Sequence, residues 1–570
     1  MKVSDYIVEY LIEKNVKDVF GYPGGMVTHL MDSLKKYEKE IATHVLYHEQ
    51  GVAFAACGYA QSSGNLGVAY ATSGPGATNL ITGICNAYFD SIPVLFITGQ
   101  VNTFEGKGNL PVRQRGFQET DIVSMVKNVT KYAVKIEKEQ DIKFCLDRAL
   151  NVAMSGRKGP VLLDIPMNIF RADIQKELLV SYKEKESNLK FNLSDEEKCK
   201  LKDYIMQAKR PVILLGNGIK ISGLEQETRE AISSLGIPTV STMLAIDVIP
   251  SSENNYGFIG AYGHRTANFI IAKSDLVLTL GARLDVRQVG AIRKNFAPNA
   301  KLIRIDIDCG ELEYKVHEDE YSLCTDLKNV LTLLSDLRIN NYGRWSDWKN
   351  VCDELNRKLD CVDDNIVRGV ITKIGEYIPE NCVITTDVGQ NQVWIAQYLK
   401  TTEKQKVLFS GGHGAMGYSL PAAIGASCQS GRNVICMNGD GGFQMNIQEL
   451  QVIARERLPI KIVVFNNAAL GMIRHFQEMY FEDNYVQTTQ AGGYTVPDFE
   501  KIAKAYGIEY CRIDKAEEVE KEWFLNGKSY LIEIILPEKT YVFPKLEFGK
   551  PNQDQEPLLD RALFEELMSL

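Results

Sequence analysis

Two polar turns that follow neighbouring apolar segments constrain the fold of this chain more than any other feature of its sequence. Residues 434–437 and 460–465 are short, apolar and rich in β-branched side chains, which predicts two buried strands. The residues between them place apolar side chains at helical spacing, at Ile447, Leu450 and Ile453. The pattern predicts a strand–helix–strand unit, in which the two strands lie parallel in one sheet.

The same plan recurs in the first third of the chain. The interval from the turn glycine to the proline before the next strand is 17 residues from Gly76 to Pro93 and 18 residues from Gly441 to Pro459. The middle of the chain has further strand signals that lead into glycine or aspartate, at 211–215, 276–280 and 302–306. Strands that alternate with helices in this way predict an α/β fold with three doubly wound parallel-sheet domains.

Two charged, irregular stretches, 181–202 and 335–364, have the composition of linkers. They divide the 570 residues into three parts of ordinary domain size. We predict an N-terminal domain at 1–180, a central domain at 190–340 and a C-terminal domain at 365–570.

Composition excludes several classes of function. The net charge is −9 and the basic residues are scattered, so no nucleic-acid partner is expected. The 12 cysteines form no C-x-x-C pair, which predicts neither a zinc ribbon nor a disulfide framework and favours a reduced, cytoplasmic setting. The sequence has no signal-peptide core and no apolar run long enough for a bilayer, so we expect a soluble protein without a membrane partner.

The polar residues at the predicted strand ends suit a metal-bound diphosphate. Asp440 and Asn467 each follow a strand, and side chains at the carboxyl ends of parallel strands line the ligand crevice. Mg²⁺ prefers such oxygen ligands together with phosphate oxygens. The adjacent Gly439, Gly441 and Gly442 let backbone approach a phosphate at the start of a helix. Taken singly, either turn is also explained as an ordinary loop.

Together the two turns resemble the signature of thiamine diphosphate enzymes, and further motifs narrow the resemblance. These motifs are Gly21-Tyr22-Pro23-Gly24-Gly25, His48-Glu49-Gln50-Gly51, Ser73-Gly74-Pro75-Gly76, Gly116-Phe117-Gln118-Glu119, Thr386-Asp387-Val388-Gly389-Gln390 and Met416-Gly417. They occur in the order found in the catalytic subunit of acetohydroxyacid (acetolactate) synthase, which the chain closely resembles over residues 1 to about 540.

The resemblance implies a thiamine diphosphate-dependent enzyme fold and an active site shared between chains. Glu49 would be the acid that activates the cofactor, and it would serve the cofactor of a partner chain. Gly25 and Gln118 would line the reaction space, with Phe117 as its wall. A homodimer would be the minimum active unit, with a homotetramer as the other possibility.

The resemblance also assigns residues to the cofactors. Asp440, Asn467 and the carbonyl of Ala469 would bind Mg²⁺. Met416 would bend thiamine diphosphate, the Gly414 carbonyl would hold its amino group, and Gln390 would contact the cofactor. The middle domain resembles the family's FAD-binding module, with FAD in a structural role, through Arg157, Gly216, Gly218, Arg283 and Asp306.

Arg287 belongs to the same middle motif and would bind a substrate carboxylate, since guanidinium binds carboxylates bidentately. The sequence departs from the family at other positions: Met167 replaces an entrance Lys, Phe476 replaces the Trp or Gln that helps select the second 2-oxoacid, and Val286 and His413 are also unusual. These changes are consistent with an altered acceptor pocket or with neutral drift.

The predicted reaction is decarboxylative carboligation, in which pyruvate loses CO₂ and the remaining two-carbon unit joins a carbonyl acceptor. Pyruvate as acceptor gives 2-acetolactate. Residues 544–559 instead resemble flavin- and thiamine-dependent carboligases of surface-sugar pathways, whose acceptor is a nucleotide-linked keto-sugar. Simple decarboxylation of a 2-oxoacid and a catalytically inactive scaffold are further alternatives.

Overall fold

The computed structural model describes residues 1–183, 191–233, 235–250, 254–337, 343–359, 365–428 and 433–570. They form three parallel sheets of six strands each, with α-helices between most consecutive strands, and this confirms the predicted fold class. Parts of the predicted linkers 181–202 and 335–364 lie outside the described residues.

The first sheet has the strand order β2-β1-β3-β4-β6-β5. Its strands are β1 (Asp18–Gly21), β2 (Ala42–Val45), β3 (Gly67–Ala71), β4 (Val94–Gln100), β5 (Tyr132–Lys135) and β6 (Val161–Pro166). Its helices are α1 (Val3–Glu13), α2 (Thr28–Lys36), α3 (Glu49–Ser63), α4 (Pro75–Asn79), α5 (Ile81–Phe89), α6 (Ile122–Val126), α7 (Ile142–Met154) and α8 (Met167–Arg171).

The middle sheet has the order β12-β11-β10-β7-β8-β9. Its strands are β7 (Pro211–Leu215), β8 (Thr239–Ser241), β9 (Asn255–Phe258), β10 (Leu276–Leu280), β11 (Lys301–Asp306) and β12 (Tyr321–Cys324). The helices of this region are α9 (Asp195–Gln207), α10 (Gly218–Ser222), α11 (Glu225–Ser233), α12 (Arg265–Lys273), α13 (Val286–Val289), α14 (Cys309–Glu313), α15 (Leu327–Leu337) and α16 (Ser346–Leu359).

The third sheet has the order β14-β13-β15-β16-β18-β17, which matches the plan of the first. Its strands are β13 (Cys382–Thr386), β14 (Lys406–Leu408), β15 (Asn433–Gly439), β16 (Ile460–Asn466), β17 (Glu509–Ile513) and β18 (Tyr530–Ile535). Its helices are α17 (Ile366–Tyr377), α18 (Gln390–Tyr398), α19 (Ser419–Ser427), α20 (Asp440–Met445), α21 (Leu450–Glu456), α22 (Gly471–Tyr480), α23 (Phe499–Tyr506) and α24 (Glu522–Leu525).

The predicted strand–helix–strand unit is present, but its helix is interrupted. α20 ends before Asn446, whose backbone (φ −130°, ψ 30°) is not helical, and α21 begins at Leu450. The Asn446 side-chain N–H donates to the Gly417 carbonyl at 2.7 Å. Apolar spacing could not reveal this break because the side chain of Asn446 binds a loop that is distant in sequence.

The first and third sheets pack against each other through α3 and α19, and residues of both helices belong to one apolar core. The contact depends on glycine. A Cβ atom on Gly425 would lie 1.9 Å from the Ala55 carbonyl oxygen, and one on Gly58 would lie 2.2 Å from the Ala422 carbonyl oxygen. The two helix backbones therefore approach closely within one chain.

The C-terminal residues return to the middle sheet. Beyond β18, the Asn552 side chain donates to the Gln288 carbonyl at 2.6 Å, and the final helix α25 (Arg561–Ser569) brings Phe564 against Phe269. No helix among the described residues is long and apolar enough to cross a membrane.

The cysteine prediction was wrong in one respect. Cys309, at the start of α14, and Cys324, at the end of β12, form a disulfide. Their separation of 15 residues matches no motif, and they meet because β11 and β12 are neighbours in the sheet.

Candidate active site

The first candidate site is a pocket at the carboxyl ends of β13, β15 and β16. Eight predicted cofactor and metal residues line it: Gln390, Met416, Gly439, Asp440, Gly441, Gly442, Asn467 and Ala469. Gly414 is not among the lining residues. It lies two positions before Met416 in a left-handed conformation (φ 68°).

Asp440 is a buried carboxylate with one unused oxygen. It is 2% exposed, and its Oδ1 accepts a hydrogen bond from the Tyr494 hydroxyl at 2.7 Å. Its Oδ2 is buried and makes no hydrogen bond to any described residue. Burial raises the pKa of Asp440 to about 6, although Tyr494 and nearby backbone N–H groups lower it. A buried carboxylate oxygen without a partner is costly, so it fits an added cation.

Asn467 and Ala469 offer further oxygens in this pocket. The Asn467 side-chain N–H donates to Gln390 Oε1 at 3.2 Å, so its amide oxygen is the atom that could bind a cation. The Ala469 carbonyl accepts from the Gly471 N–H at 2.9 Å and keeps a second lone pair. The turn between them is shaped by Asn466, whose side-chain oxygen accepts from the Ala468 N–H at 2.9 Å.

Asp387 organises the loop that carries Met416. The Asp387 side chain is fully buried, and it accepts hydrogen bonds from the backbone N–H groups of Gly417 and Ser419, each at 3.0 Å. It also packs against Gly442, because a Cβ atom there would lie 2.1 Å from Asp387 Oδ1. The motif containing Asp387 was evident in the sequence, but its role as an anchor for this loop was not.

The four predicted catalytic residues come from the helices and loops around the first sheet. Glu49 is the first residue of α3 and is 8% exposed, and its Oε2 accepts from the Asn79 side-chain N–H at 2.9 Å. Gln118, itself in a left-handed conformation (φ 61°), packs on Gly74, where a Cβ atom would lie 2.9 Å from Gln118 Cβ. Phe117 is 79% exposed. Gly25 begins a short 3₁₀ turn.

These residues do not meet the Asp440 pocket within their own chain. Among the described residues that line that pocket, all come from the third-sheet region, between 388 and 473. The fold therefore leaves Glu49 and Asp440 in separate groups.

The second candidate site is a larger pocket between the middle sheet and loops of the other two. Five predicted residues line it: Arg157, Gly218, Arg283, Asp306 and Arg287. Gly216 lies behind the lining, where a Cβ atom would be 2.0 Å from the Gly281 carbonyl oxygen. This glycine allows the ends of β7 and β10 to approach each other.

Arg157 is an internally paired cation of the middle pocket. Arg157 Nη1 lies 3.0 Å from Asp308 Oδ2 and 2.6 Å from Glu311 Oε1, and its Nε donates to Ser91 Oγ at 2.9 Å. Burial raises the pKa of Asp306, whose Oδ1 accepts from the Asp308 N–H at 2.9 Å. A pocket with a paired arginine and an acid at a strand end fits an organic dinucleotide.

The three predicted substrate residues lie apart from one another. Arg287 lines the middle pocket, and Met167 begins α8 directly after β6. Phe476, on α22, is 48% exposed and packs against Tyr480, with ring centroids 4.7 Å apart. The fold of one chain does not bring these three residues into a single pocket.

Two unusual positions lie beside the middle pocket. His413 stacks on Phe89 with ring centroids 5.8 Å apart. The preceding Gly411 and Gly412 donate their N–H groups to the Asp90 carboxylate, and burial raises the pKa of that carboxyl to about 6. Val286, at the start of α13, is exposed.

Three models of thiamine pyrophosphate enzymes match the chain: the N-terminal TPP binding domain over residues 1–125, the central domain over 200–334 and the C-terminal TPP binding domain over 387–534. The chain is 35% identical to acetolactate synthase isozyme 2 large subunit of Escherichia coli, across 97% of this chain and 99% of the relative. It is 36% identical to the acetolactate synthase large subunit of Corynebacterium glutamicum, across 96% and 89%. The chain therefore belongs to the acetolactate synthase large-subunit family of thiamine pyrophosphate enzymes.

Proposed function

We propose that this protein joins two 2-oxoacids with loss of CO₂. Pyruvate loses its carboxylate as CO₂, and the remaining two-carbon unit forms a carbon–carbon bond to the keto carbon of a second pyruvate, which takes up a proton and gives 2-acetolactate. Family membership supports the reaction class. The observation that carries the proposal is the buried, unpartnered oxygen of Asp440 at the end of β15, beside Asn467.

The third-sheet pocket has the residues to hold Mg²⁺ and thiamine diphosphate. Asp440, Asn467 and the Ala469 carbonyl would bind the cation, and the Gly439–Gly442 turn would face the diphosphate. Met416 would pack against the cofactor, because a flexible thioether fills irregular gaps. When bound, thiamine diphosphate supplies the electron sink that makes loss of the carboxylate possible.

Glu49 would hold and exchange a proton with the pyrimidine ring of the cofactor. Its hydrogen bond from Asn79 orients Oε2, and Oε1 accepts no hydrogen bond from the part of the chain that the structure describes. Since the residues that line the Asp440 pocket come from the third-sheet region alone, we propose that Glu49 serves the pocket of a second copy, in a homodimer or homotetramer. Gly25, Gln118 and Phe117 would complete that shared site.

FAD is the proposed occupant of the middle pocket, in a structural role. Arg157 and Arg283 would contact its phosphates, Asp306 would bind a ribose hydroxyl, and Gly218 would allow close backbone approach. Gly216, behind the lining, would keep the ends of β7 and β10 together. Arg287, in the same pocket, would meet the carboxylate of a substrate.

The choice of acceptor is proposed from the relatives. Acetolactate synthases share about a third of their residues with this chain over nearly its full length, which favours pyruvate over a keto-sugar and carboligation over simple decarboxylation. Met167 and Phe476 remain proposed acceptor-side residues. The domain boundaries 1–180, 190–340 and 365–570 and the cytoplasmic setting also remain predictions.

The test is product analysis by mass spectrometry after the purified protein is given pyruvate, thiamine diphosphate, Mg²⁺ and FAD. We expect 2-acetolactate and CO₂ in equal amounts. Acetaldehyde with CO₂ would show a decarboxylase and contradict the proposal, as would CO₂ release that rises only when a nucleotide keto-sugar is added.

A further inference from the structure

A buried carboxylate of the third-sheet region contacts the backbone immediately before Glu49. Glu449 ends the 3₁₀ turn Ile447–Glu449, and its side chain is fully buried. Its Oε1 accepts hydrogen bonds from the N–H groups of Tyr47 and His48, both at 3.1 Å, and its Oε2 is 3.0 Å from the Tyr47 nitrogen. The contact joins residues about 400 positions apart.

The contacts of Glu449 flank Glu49 on both sides. His48, the N-cap of α3, is extended (φ −146°, ψ 139°), and its Nδ1 accepts from the Gln50 N–H at 3.1 Å. On the other side, a Cβ atom at Gly51 would lie 2.8 Å from Glu449 Oε1, so this glycine packs directly on the carboxylate. Glu449 thereby defines the path of the backbone that presents Glu49.

Burial raises the pKa of Glu449 to about 7, and the N–H groups of Tyr47 and His48 lower it. The Glu449 carboxylate and these two N–H groups depend on each other. The N–H groups stabilise the carboxylate, and the carboxylate accepts hydrogen bonds from two donors that residues at the start of α3 cannot satisfy.

We propose that Glu449 is a positioning residue, which fixes the placement of Glu49 and so controls how readily Glu49 exchanges a proton with the cofactor. The inference rests on the proposed function. Glu449 is not among the described lining residues of either pocket, so its effect would pass through the backbone of residues 47–49. Small displacements of a catalytic group cost on the order of 100-fold in rate.

Glu456 provides a matched control at the same interface. Its Oε2 lies 2.8 Å from His44 Nδ1, and His44 Nε2 lies 3.0 Å from Asp18 Oδ1. Glu456 is thus a second third-sheet carboxylate that binds the first sheet, but it contacts a side chain on β2 and not the turn before Glu49. Its other oxygen accepts from Arg455, which donates to the Tyr47 hydroxyl, so Glu456 reaches this turn only through a neighbouring side chain. Its removal therefore tests the loss of an interface contact without loss of the backbone hydrogen bonds at Tyr47 and His48.

The experiment compares Glu449→Ala, Glu449→Gln and Glu456→Ala in the full-length protein with thiamine diphosphate and Mg²⁺ at saturation. The main measurement is the rate of hydrogen–deuterium exchange at C2 of the thiazolium ring, followed by quenched NMR without substrate. We expect Glu449→Ala to slow exchange by about 100-fold. Glu449→Gln keeps an acceptor oxygen and should restore most of the rate, and Glu456→Ala should match wild type.

Thermal unfolding and the KM for pyruvate separate positioning from general damage. A positioning role predicts a lower kcat and a nearly unchanged KM for Glu449→Ala. If Glu449→Ala exchanges at the wild-type rate, and its melting temperature falls as that of Glu456→Ala does, Glu449 only supports the interface and the inference is wrong.

Glu49→Gln distinguishes the inference from the function on which it rests. If Glu49→Gln exchanges normally, the proposed role of Glu49 fails, and the role of Glu449 fails with it. If Glu49→Gln is slow and Glu449→Ala is normal, only the positioning role fails. If Glu449→Ala does not fold, Glu449→Asp tests the positioning role instead, because its shorter side chain draws the carboxylate back from Tyr47 and His48. Exchange at the wild-type rate in Glu449→Asp would overturn the inference.

Discussion

The third-sheet pocket and the middle pocket both lie at the carboxyl ends of parallel strands, but they differ in whether a buried charged side chain already has its partners. In the third-sheet pocket, Asp440 has a hydroxyl partner on one oxygen and, within the described part of the chain, none on the other. In the middle pocket, Arg157 already contacts the carboxylates of Asp308 and Glu311.

The difference indicates what each pocket is built to receive. An unpaired buried carboxylate costs folding free energy that an added cation can offset. In the middle pocket Arg157 already has two carboxylate partners, so the pairing there creates no demand for an added cation, and the pocket can use its arginines and backbone for a large organic group. Four predictions test this contrast, and they run from the largest expected effect to the smallest.

Replacing Asp440 should have the largest effect. Asp440→Ala removes the unpaired oxygen, and we expect Mg²⁺-dependent binding of thiamine diphosphate to weaken by at least about 100-fold, because even groups that only support metal ligands change affinity by 10- to 100-fold. Titration of the protein with Mg²⁺ at fixed thiamine diphosphate measures this. FAD binding should be unchanged, and unaltered Mg²⁺ dependence would contradict the assignment.

Replacing Arg157 should affect the other pocket alone. Arg157→Ala removes the proposed charged partner of FAD, together with the ion pair of Asp308 and the shorter of the two ion pairs of Glu311, so FAD affinity should fall by about 10- to 100-fold, as for loss of a charged hydrogen bond. Equilibrium titration with FAD measures the change. A parallel loss of Mg²⁺-dependent thiamine diphosphate binding would show that the two pockets are not independent.

Acid should weaken the cation site by about 10-fold per pH unit. Burial raises the pKa of Asp440 to about 6, and Mg²⁺ binds only the ionised carboxylate. Mg²⁺ affinity should therefore be nearly constant above pH 7 and fall as pH decreases below 6. Calorimetric titrations between pH 5 and 8 measure the slope. Asp440→Asn, which cannot ionise, should bind weakly at every pH.

Removing the Tyr494 hydroxyl should have the smallest effect. Tyr494→Phe deletes the hydrogen bond that helps keep Asp440 ionised, so the pKa of Asp440 should rise further and Mg²⁺ affinity near pH 7 should fall about threefold to 10-fold, as expected for a single hydrogen bond. The same titrations measure it. Tighter Mg²⁺ binding would show that Tyr494 competes with the cation for Asp440.

Features that depend on local pattern could be predicted from sequence. The strands β15 and β16, the turns that follow them and the shared plan of the first and third sheets are present as expected, because buried parallel strands impose continuous apolar runs and their ends require polar turns. The eight predicted residues that line the Asp440 pocket meet because they follow strands that end at the same edge of one sheet.

Features that depend on distant partners could not be predicted in this way. Tyr494, Asp387 and Glu449 act through contacts 30 to 402 residues away in sequence, and nothing in their neighbouring residues signals those partners. The helix break at Asn446 and the disulfide between Cys309 and Cys324 have the same origin.

The sequence by itself determined the three parallel sheets, the polar groups at their ends and the family, because each of these depends on short runs of neighbouring residues. Tertiary structure alone decided which carboxylates are paired. It left Asp440 with an oxygen that no described residue binds, and it placed two carboxylates beside Arg157. It also brought Glu449 into contact with the turn before Glu49. Burial and long-range hydrogen bonds determine the energy of a charge, and both arise only when distant segments pack together.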